Sequence, residues 1–257
     1  MLSRLSCIFF LVMNFIIHIN IFSQNIPVNY IQKAEDFLRD IRDKKELDHY
    51  LKTFEHAKLD NIFYQVETDN QKLAFWINLY NAYIQVILTK NPGMYNDRRN
   101  FFNEKQINIG GHLFSFADIE HGILRHSQHP FFLGYFTRPF PDKIEKKLRV
   151  SKRNYKIHFA LNCGAKSCPP VAIFDVDKIE EQLFKSTEKY LNETTKYVPS
   201  ENTVYVTSLF SWFRGDFGGI NGIKQILTIF KHIDTNNLKV KTTTYDWTLK
   251  LNNFIDL

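Results

Sequence analysis

Residues Gln71 to Thr89 read QKLAFWINLYNAYIQVILT, and this run constrains the fold more than any other. It is apolar nearly all round at helical spacing, so it must be a helix with neighbours on every side. Asn78, Asn81 and Gln85 interrupt it at i, i+3 and i+7, one stripe on one face. Three amides on a buried helix need partners. Either they satisfy neighbouring backbone, or they line a polar pocket that positions a substrate or a histidine. Asn91-Pro92-Gly93 ends the helix.

The chemistry-bearing stretch is Lys156 to Pro170, KIHFALNCGAKSCPP. Ile157, Phe159 and Leu161 alternate with His158, Ala160 and Asn162, which predicts a buried strand. The strand runs into a glycine turn that carries Cys163 at its start and Cys168 before two prolines. A rigid scaffold ending in an accessible turn is a common place for chemistry. A Cys163–Cys168 disulfide stapling one turn is the alternative.

Between these, Lys105 to Arg125 reads KQINIGGHLFSFADIEHGILR. Gln106–Ile109 alternates like a strand, and Gly110-Gly111 turns the chain. Ser115 with Asp118 is a capping box that opens a helix with Phe116, Ile119 and Ile123 inside. Asp118, His121 and Arg125 share another face. An Asp one turn before a His can hold its tautomer, and an Arg one turn after can neutralise an anion. A surface charge ladder is the bland alternative. Glu120 leans towards the buried side and needs a partner. His112, Glu120, His121 and His158 match no metal-ligand spacing, so no metal is assigned. With no P-loop, dinucleotide-binding glycines or nucleophile elbow, no cofactor is assigned either.

Helices are predicted over Tyr30–Arg42, Asp48–Phe54 and Gly222–His232, and a strand over Thr203–Val206. Asp177 with Glu180 predicts a capping box for a helix from Lys178 to about Leu191. His126–Pro141 is an aromatic loop, and Phe210–Gly219 is turn-rich; its Arg-Gly-Asp is taken as chance. The 257 residues, 44% hydrophobic, suffice for one sizeable core. The +6 charge is spread as Lys residues among acids, which predicts solvated faces and no nucleic-acid partner. Arg4, the apolar run Cys7–Phe22 and Ser23 predict a signal peptide over 1–23. A single secreted or periplasmic domain over 24–257 would follow, with no further membrane span and with Cys163 and Cys168 as its cysteines.

Five segments together resemble one family: AFWINLYNA (74–82), INIGGH with IEHGILR (107–125), HFALNCGAKSCPP (158–170), LFSWFRGDFG (209–218) and YDW (245–247). Their order and spacing are similar to the domain of unknown function 547 family of secreted bacterial and plant proteins, over about 45–250. The family has no firmly assigned activity. The resemblance implies that Cys163, His112, Glu120 and His121 matter beyond a disulfide, with His158 less general. It implies an α+β fold, a small and mainly antiparallel sheet packed by helices, similar to papain- or transglutaminase-like proteins.

The resulting expectation is a cysteine-dependent hydrolase or acyl transferase acting on a small molecule or peptide. Cys163 is its nucleophile, His121 its base, and Asp118, Asn78 or Asn81 the group orienting that base. Backbone N–H groups of Gly164 and Ala165 form an oxyanion hole. The competing expectation is a non-catalytic envelope binding module, with a structural Cys163–Cys168 bridge and the amides and histidines as ligand pocket.

Overall fold

A computed structural model describes residues 27–257. The signal-peptide expectation for 1–23 lies outside the described residues. Helices α1 (Tyr30–Arg42), α2 (Asp48–Glu55) and α3 (Leu59–Gln65) precede the long central helix α4 (Asp69–Lys90). Thr68 and Gln71 cap α4 reciprocally, each side chain bonding the other residue's backbone. Phe75, Trp76, Ile77, Leu79 and Ile84 are fully buried on different sides of α4, as an all-round apolar helix requires. Arg39 and Arg42 occupy the last turn of α1, where cations offset the helix dipole.

Helix α5 (Arg98–Asn103) leads into the hairpin β1 (Ile107–Ile109) and β2 (His112–Phe114). Gly110 and Gly111 make its turn at φ of +62° and +75°, where a side chain would be strained. The Ser115–Asp118 capping box forms: Ser115 Oγ accepts from the Asp118 N–H at 3.0 Å, and Asp118 Oδ2 accepts from the Ser115 N–H at 2.6 Å. The helix beyond it differs from expectation. Asp118–Leu124 is π-helical, with the Arg125 N–H reaching the Glu120 carbonyl five residues back. The wider turn rotates His121 out of line with Asp118.

Helix α6 (Lys143–Leu148) follows the aromatic loop. Tyr155–Phe159 is then a 3₁₀ turn, not the strand its alternation predicted. Residues Ile157 to Phe159 are all buried, so alternation carried no inside–outside information. Helix α7 (Ile179–Thr194) lacks the Asp177–Glu180 box; its N-cap Lys178 makes no side-chain bond. Gln182 instead reaches back, accepting from the Asp175 N–H and donating to the Ile173 carbonyl.

Strands β3 (Lys196–Val198) and β4 (Thr203–Val206) pair antiparallel. Helices α8 (Leu209–Trp212) and α9 (Gly219–Lys231) follow, and β5 (Lys239–Thr242) joins β4 in parallel. The fold is α+β, with one antiparallel hairpin and one mixed three-stranded sheet among the described residues, both packed by helices. Among the described residues two hydrophobic clusters fill it, one around α4 and one around β4 and α9. Ile157, Ala160 and Leu161 belong to the first and Phe159 to the second, so the segment carrying His158 and Cys163 runs along their seam. Among the described residues no helix is long and apolar enough to cross a membrane.

Candidate functional site

The amide stripe of α4 stitches distant backbone to the helix. Asn78 donates to the Phe174 carbonyl at 2.7 Å and accepts from the Phe174 N–H at 2.9 Å. Asn81 donates to Ala160 O at 3.0 Å and accepts from Asn162 N–H at 2.8 Å. Gln85 accepts from the Asn252 N–H in the C-terminal strap. Of the two readings of this stripe, the structure builds the backbone one.

Asn81 thereby fixes the entrance of the cysteine loop, and Asn162 fixes the loop itself. Its buried side chain accepts from the Gly164 N–H and donates to the Pro169 carbonyl. Within this clamp Cys163 and Cys168 are disulfide-bonded, their Cα atoms 6.1 Å apart. Gly164 sits at φ +85°. The C-terminal strap pairs with the loop through Lys166 N–H to Thr248 O and Lys250 N–H to Gly164 O. That pairing brings Tyr245 to the sulfurs: its hydroxyl donates to Cys168 Sγ at 3.2 Å and lies 3.6 Å from Cys163 Sγ. The Cys163 N–H also donates to Cys168 Sγ, at 3.0 Å.

Cys163 opens onto a cavity of about 400 Å³, the size of a small organic ligand. Phe131, Trp212, Phe213 and Trp247 are among its apolar walls, and Trp212 and Trp247 stack with centroids 5.4 Å apart. Tyr80, Glu120, His121, His158 and Tyr245, with Arg99 and Asn103, supply its polar groups.

Behind this cavity lies Asp216. Its buried carboxylate accepts from His158 Nε2 at 2.8 Å, Arg125 Nε at 2.6 Å and Arg153 Nη1 at 3.1 Å. Burial pushes the carboxyl up, but the hydrogen bonds from His158 and Arg125 outweigh it and hold it at about 2. Phe213 is stacked on His158 with centroids 3.9 Å apart and meets Arg125 at 4.6 Å. Gly134 packs on the same carboxylate so closely that a Cβ would collide with it.

The two histidines are held in different tautomers. Arg125 Nη1 lies 2.7 Å from His121 Nδ1. A guanidinium can only donate, so Nδ1 is the acceptor and the neutral ring carries its proton on Nε2. His158 is the reverse: Nε2–H serves Asp216, and Nδ1 keeps its lone pair, unbonded among the described residues. Burial lowers both rings, His121 to about 3 with help from Arg125, and His158 to about 4 against the pull of Asp216. Glu120, pushed up by burial, lies 3.4 Å from the Tyr80 hydroxyl and 3.6 Å from His121 Nδ1.

The expected set is therefore partly regrouped. Cys163, Glu120, His121 and His158 share the cavity, with Arg125 behind them. Asp118 is turned to Ser115 and Lys105 and does not orient His121. His112 lies in a separate small crevice with Lys105, Asp118 and Glu145. The amides of Asn78 and Asn81 are taken by backbone. The Gly164 N–H is taken by Asn162, and Ala165 is buried opposite Leu249. Sequence reasoning missed Asp216, Tyr80, Tyr245 and the tryptophan wall. The signals were a lone acid in an aromatic, glycine-rich segment and the Tyr245-Asp246-Trp247 run. Among the described residues no three His, Cys, Asp or Glu side chains converge to hold a metal ion.

A family model described as "Protein of unknown function, DUF547" matches residues 64–191. That span contains Glu120, His121, His158 and both cysteines, while Asp216 and Tyr245 lie beyond it. No curated protein and no solved structure matches the chain.

Proposed function

Because this chain belongs to the DUF547 family, whose description names no activity, we propose from its own geometry that it is a cysteine-dependent hydrolase or acyl transferase, exported from the cytoplasm and stored in oxidised form. Export is supported by Arg4 and the apolar run Cys7–Phe22. The observation that carries the chemistry is the Asp216–His158 pair on the cavity that Cys163 opens into. A carboxylate that fixes the imidazole tautomer and leaves one nitrogen basic is the arrangement a nucleophile needs.

The disulfide must first open. An external thiolate entering the cavity attacks Cys163 Sγ, and Cys168 leaves as a thiolate. That anion is received by the Cys163 N–H and by Tyr245, a hydroxyl that burial keeps protonated. A second thiolate attacks the external sulfur and carries it away as a disulfide, and Cys163 leaves as a thiolate that takes a proton from solvent. His158 Nδ1 then takes the Cys163 proton, and the sulfur attacks a substrate carbonyl. His121 Nε2–H is a donor for the oxyanion, a role for which Arg125 prepares it and which replaces the base role expected from sequence. The imidazolium returns its proton to the leaving group, and water or an acceptor alcohol or amine takes the acyl group from the thioester. The aromatic walls favour a substrate with an apolar or aromatic moiety.

The disulfide and the stacked tryptophans also favour a second reading, a binding module in which the bridge is structural. Alkylation kinetics separate the two. Cys168→Ser frees Cys163, and the enzyme reading expects its reaction with iodoacetamide to depend on His158. His158→Gln should slow that reaction roughly tenfold or more at pH 7. An ordinary thiol, indifferent to His158, would leave the binding module.

A further inference from the structure

The loop after the π-helix exposes more large apolar surface than any site chemistry requires. Phe140 is 92% exposed, Phe131 76% and Phe136 63%, with Phe132, Leu133 and Tyr135 each about half exposed. These six lie within ten residues, far denser than singly scattered surface apolars. The segment is an ordered hairpin: the His129 N–H donates to Phe136 O, Tyr135 N–H to Phe132 O, and Gln128 bridges Thr137. Its turn is pinned where Gly134 packs on Asp216 and the Gly134 carbonyl accepts from Arg153 at 2.8 Å. The rings are thus presented by a rigid support.

Charge identifies what they meet. Between His126 and Lys156 stand eight Lys or Arg residues against only Asp142 and Glu145, a net +6 that equals the charge of the whole chain. Arg138, Arg153 and Lys156 are paired with Glu145, Asp216 and Glu180, which leaves Lys143, Lys146, Lys147, Arg149 and Lys152 without an acidic partner among the described residues. The even scatter of charge expected from composition therefore fails in the one segment that carries the exposed rings. A protein surface that bound these rings would need a matching apolar patch. An anionic lipid surface meets both features at once: headgroups take the lysines, and the acyl boundary takes the rings.

We propose that the Pro130–Phe140 hairpin and the basic chain that follows it dock this protein onto an anionic membrane surface. Phe131 and Pro130 also line the mouth of the cavity. Docking would therefore bring that mouth to the interface, whatever chemistry the cavity performs.

The test is sedimentation of the full chain with vesicles of phosphatidylcholine alone or with a third phosphatidylglycerol. The rings of Phe136 and Phe140 are exposed, so the F136S/F140S double variant should keep the fold, checked by its thermal midpoint. We expect binding to the anionic vesicles, weakening with salt, and roughly a tenfold or greater loss in the double variant. Lys143→Glu with Lys146→Glu should remove the preference for anionic lipid. In a second measurement, the indole introduced by Phe140→Trp should be quenched by brominated lipid beyond the wild-type background. Equal partition of wild type and F136S/F140S overturns the proposal, as does an unquenched indole. A dimer that F136S/F140S dissolves, without lipid binding, assigns the hairpin to a second copy of the chain and overturns it as well.

Discussion

His158 Nε2 donates to Asp216 Oδ2 across 2.8 Å, joining residues 58 positions apart. The same carboxylate holds Arg125 and Arg153, so two cations and a histidine depend on one anion. Asp216→Asn keeps the size and removes the charge. Arg125 would then be left buried without its counter-ion, a change that costs about 3–5 kcal/mol when a buried pair is broken. Urea unfolding checks this, and a loss under about 1 kcal/mol would show that the hub is not a source of stability.

Acid should destabilise the protein before its carboxylates are neutralised. His121 is lowered to about 3 and His158 to about 4, both mainly by burial, from an ordinary value of 6.5. The unfolded chain then binds protons that the folded chain refuses. The contribution is complete above about pH 6.5 and is lost as pH falls towards 4 and then 3. Urea midpoints from pH 7.5 to 4 should fall in wild type and fall less in His158→Gln. Equal falls in wild type and His158→Gln across that window would contradict the assignment.

The Arg125–His121 bond fixes an observable tautomer. Long-range nitrogen–proton spectra at pH 7 should show His121 with Nδ1 bare and Nε2 protonated. Arg125→Met should let the ring sample both forms. A protonated Nδ1 in wild type would exclude the donor role for Nε2 in the neutral ring.

Glu35 has the opposite sign. Burial first, then Asp175, raises its carboxyl to about 7, against the pull of Arg39. The folded chain holds this proton more tightly than the unfolded chain. Its stabilisation is complete below about pH 4.5 and is lost as pH rises through about 7. Glu35→Gln should therefore match wild type near pH 5 and exceed it at pH 8 by ~1–2 kcal/mol. Equal midpoints at pH 8 would contradict this.

Asn78→Leu and Asn81→Leu should each cost about 1–3 kcal/mol, because each leaves a buried N–H and a buried carbonyl unbonded. Only Asn81 holds the cysteine loop. Asn81→Leu should therefore also speed reduction of the disulfide by dithiothreitol, and Asn78→Leu should not. Equal rates in the two variants would separate the clamp from the redox chemistry.

Much of the scaffold was legible in the sequence. Helix α1 begins and ends where its apolar spacing does, and α4 is buried all round as its composition demands. The Gly110-Gly111 turn and the Ser115–Asp118 box also formed as written. These features are decided by residues three or four positions apart, or by a residue's own φ, so the chain states them locally. The Cys163–Cys168 bridge was one of two open alternatives, because five positions allow a disulfide and do not require one. The 3₁₀ turn at His158 and the π-helix at His121 were not legible, since burial on all sides erases the pattern that separates a strand from a turn. The site itself was decided in three dimensions. Asp118 stands one turn from His121 in sequence, yet it went to Lys105. Asp216, hidden in a tripeptide with no local signature, became the partner of His158. Sequence determined the long helices and which amides had to be satisfied. Only the tertiary structure chose their partners, because an isolated buried charge binds whichever counter-ion the packing of two distant cores brings to it.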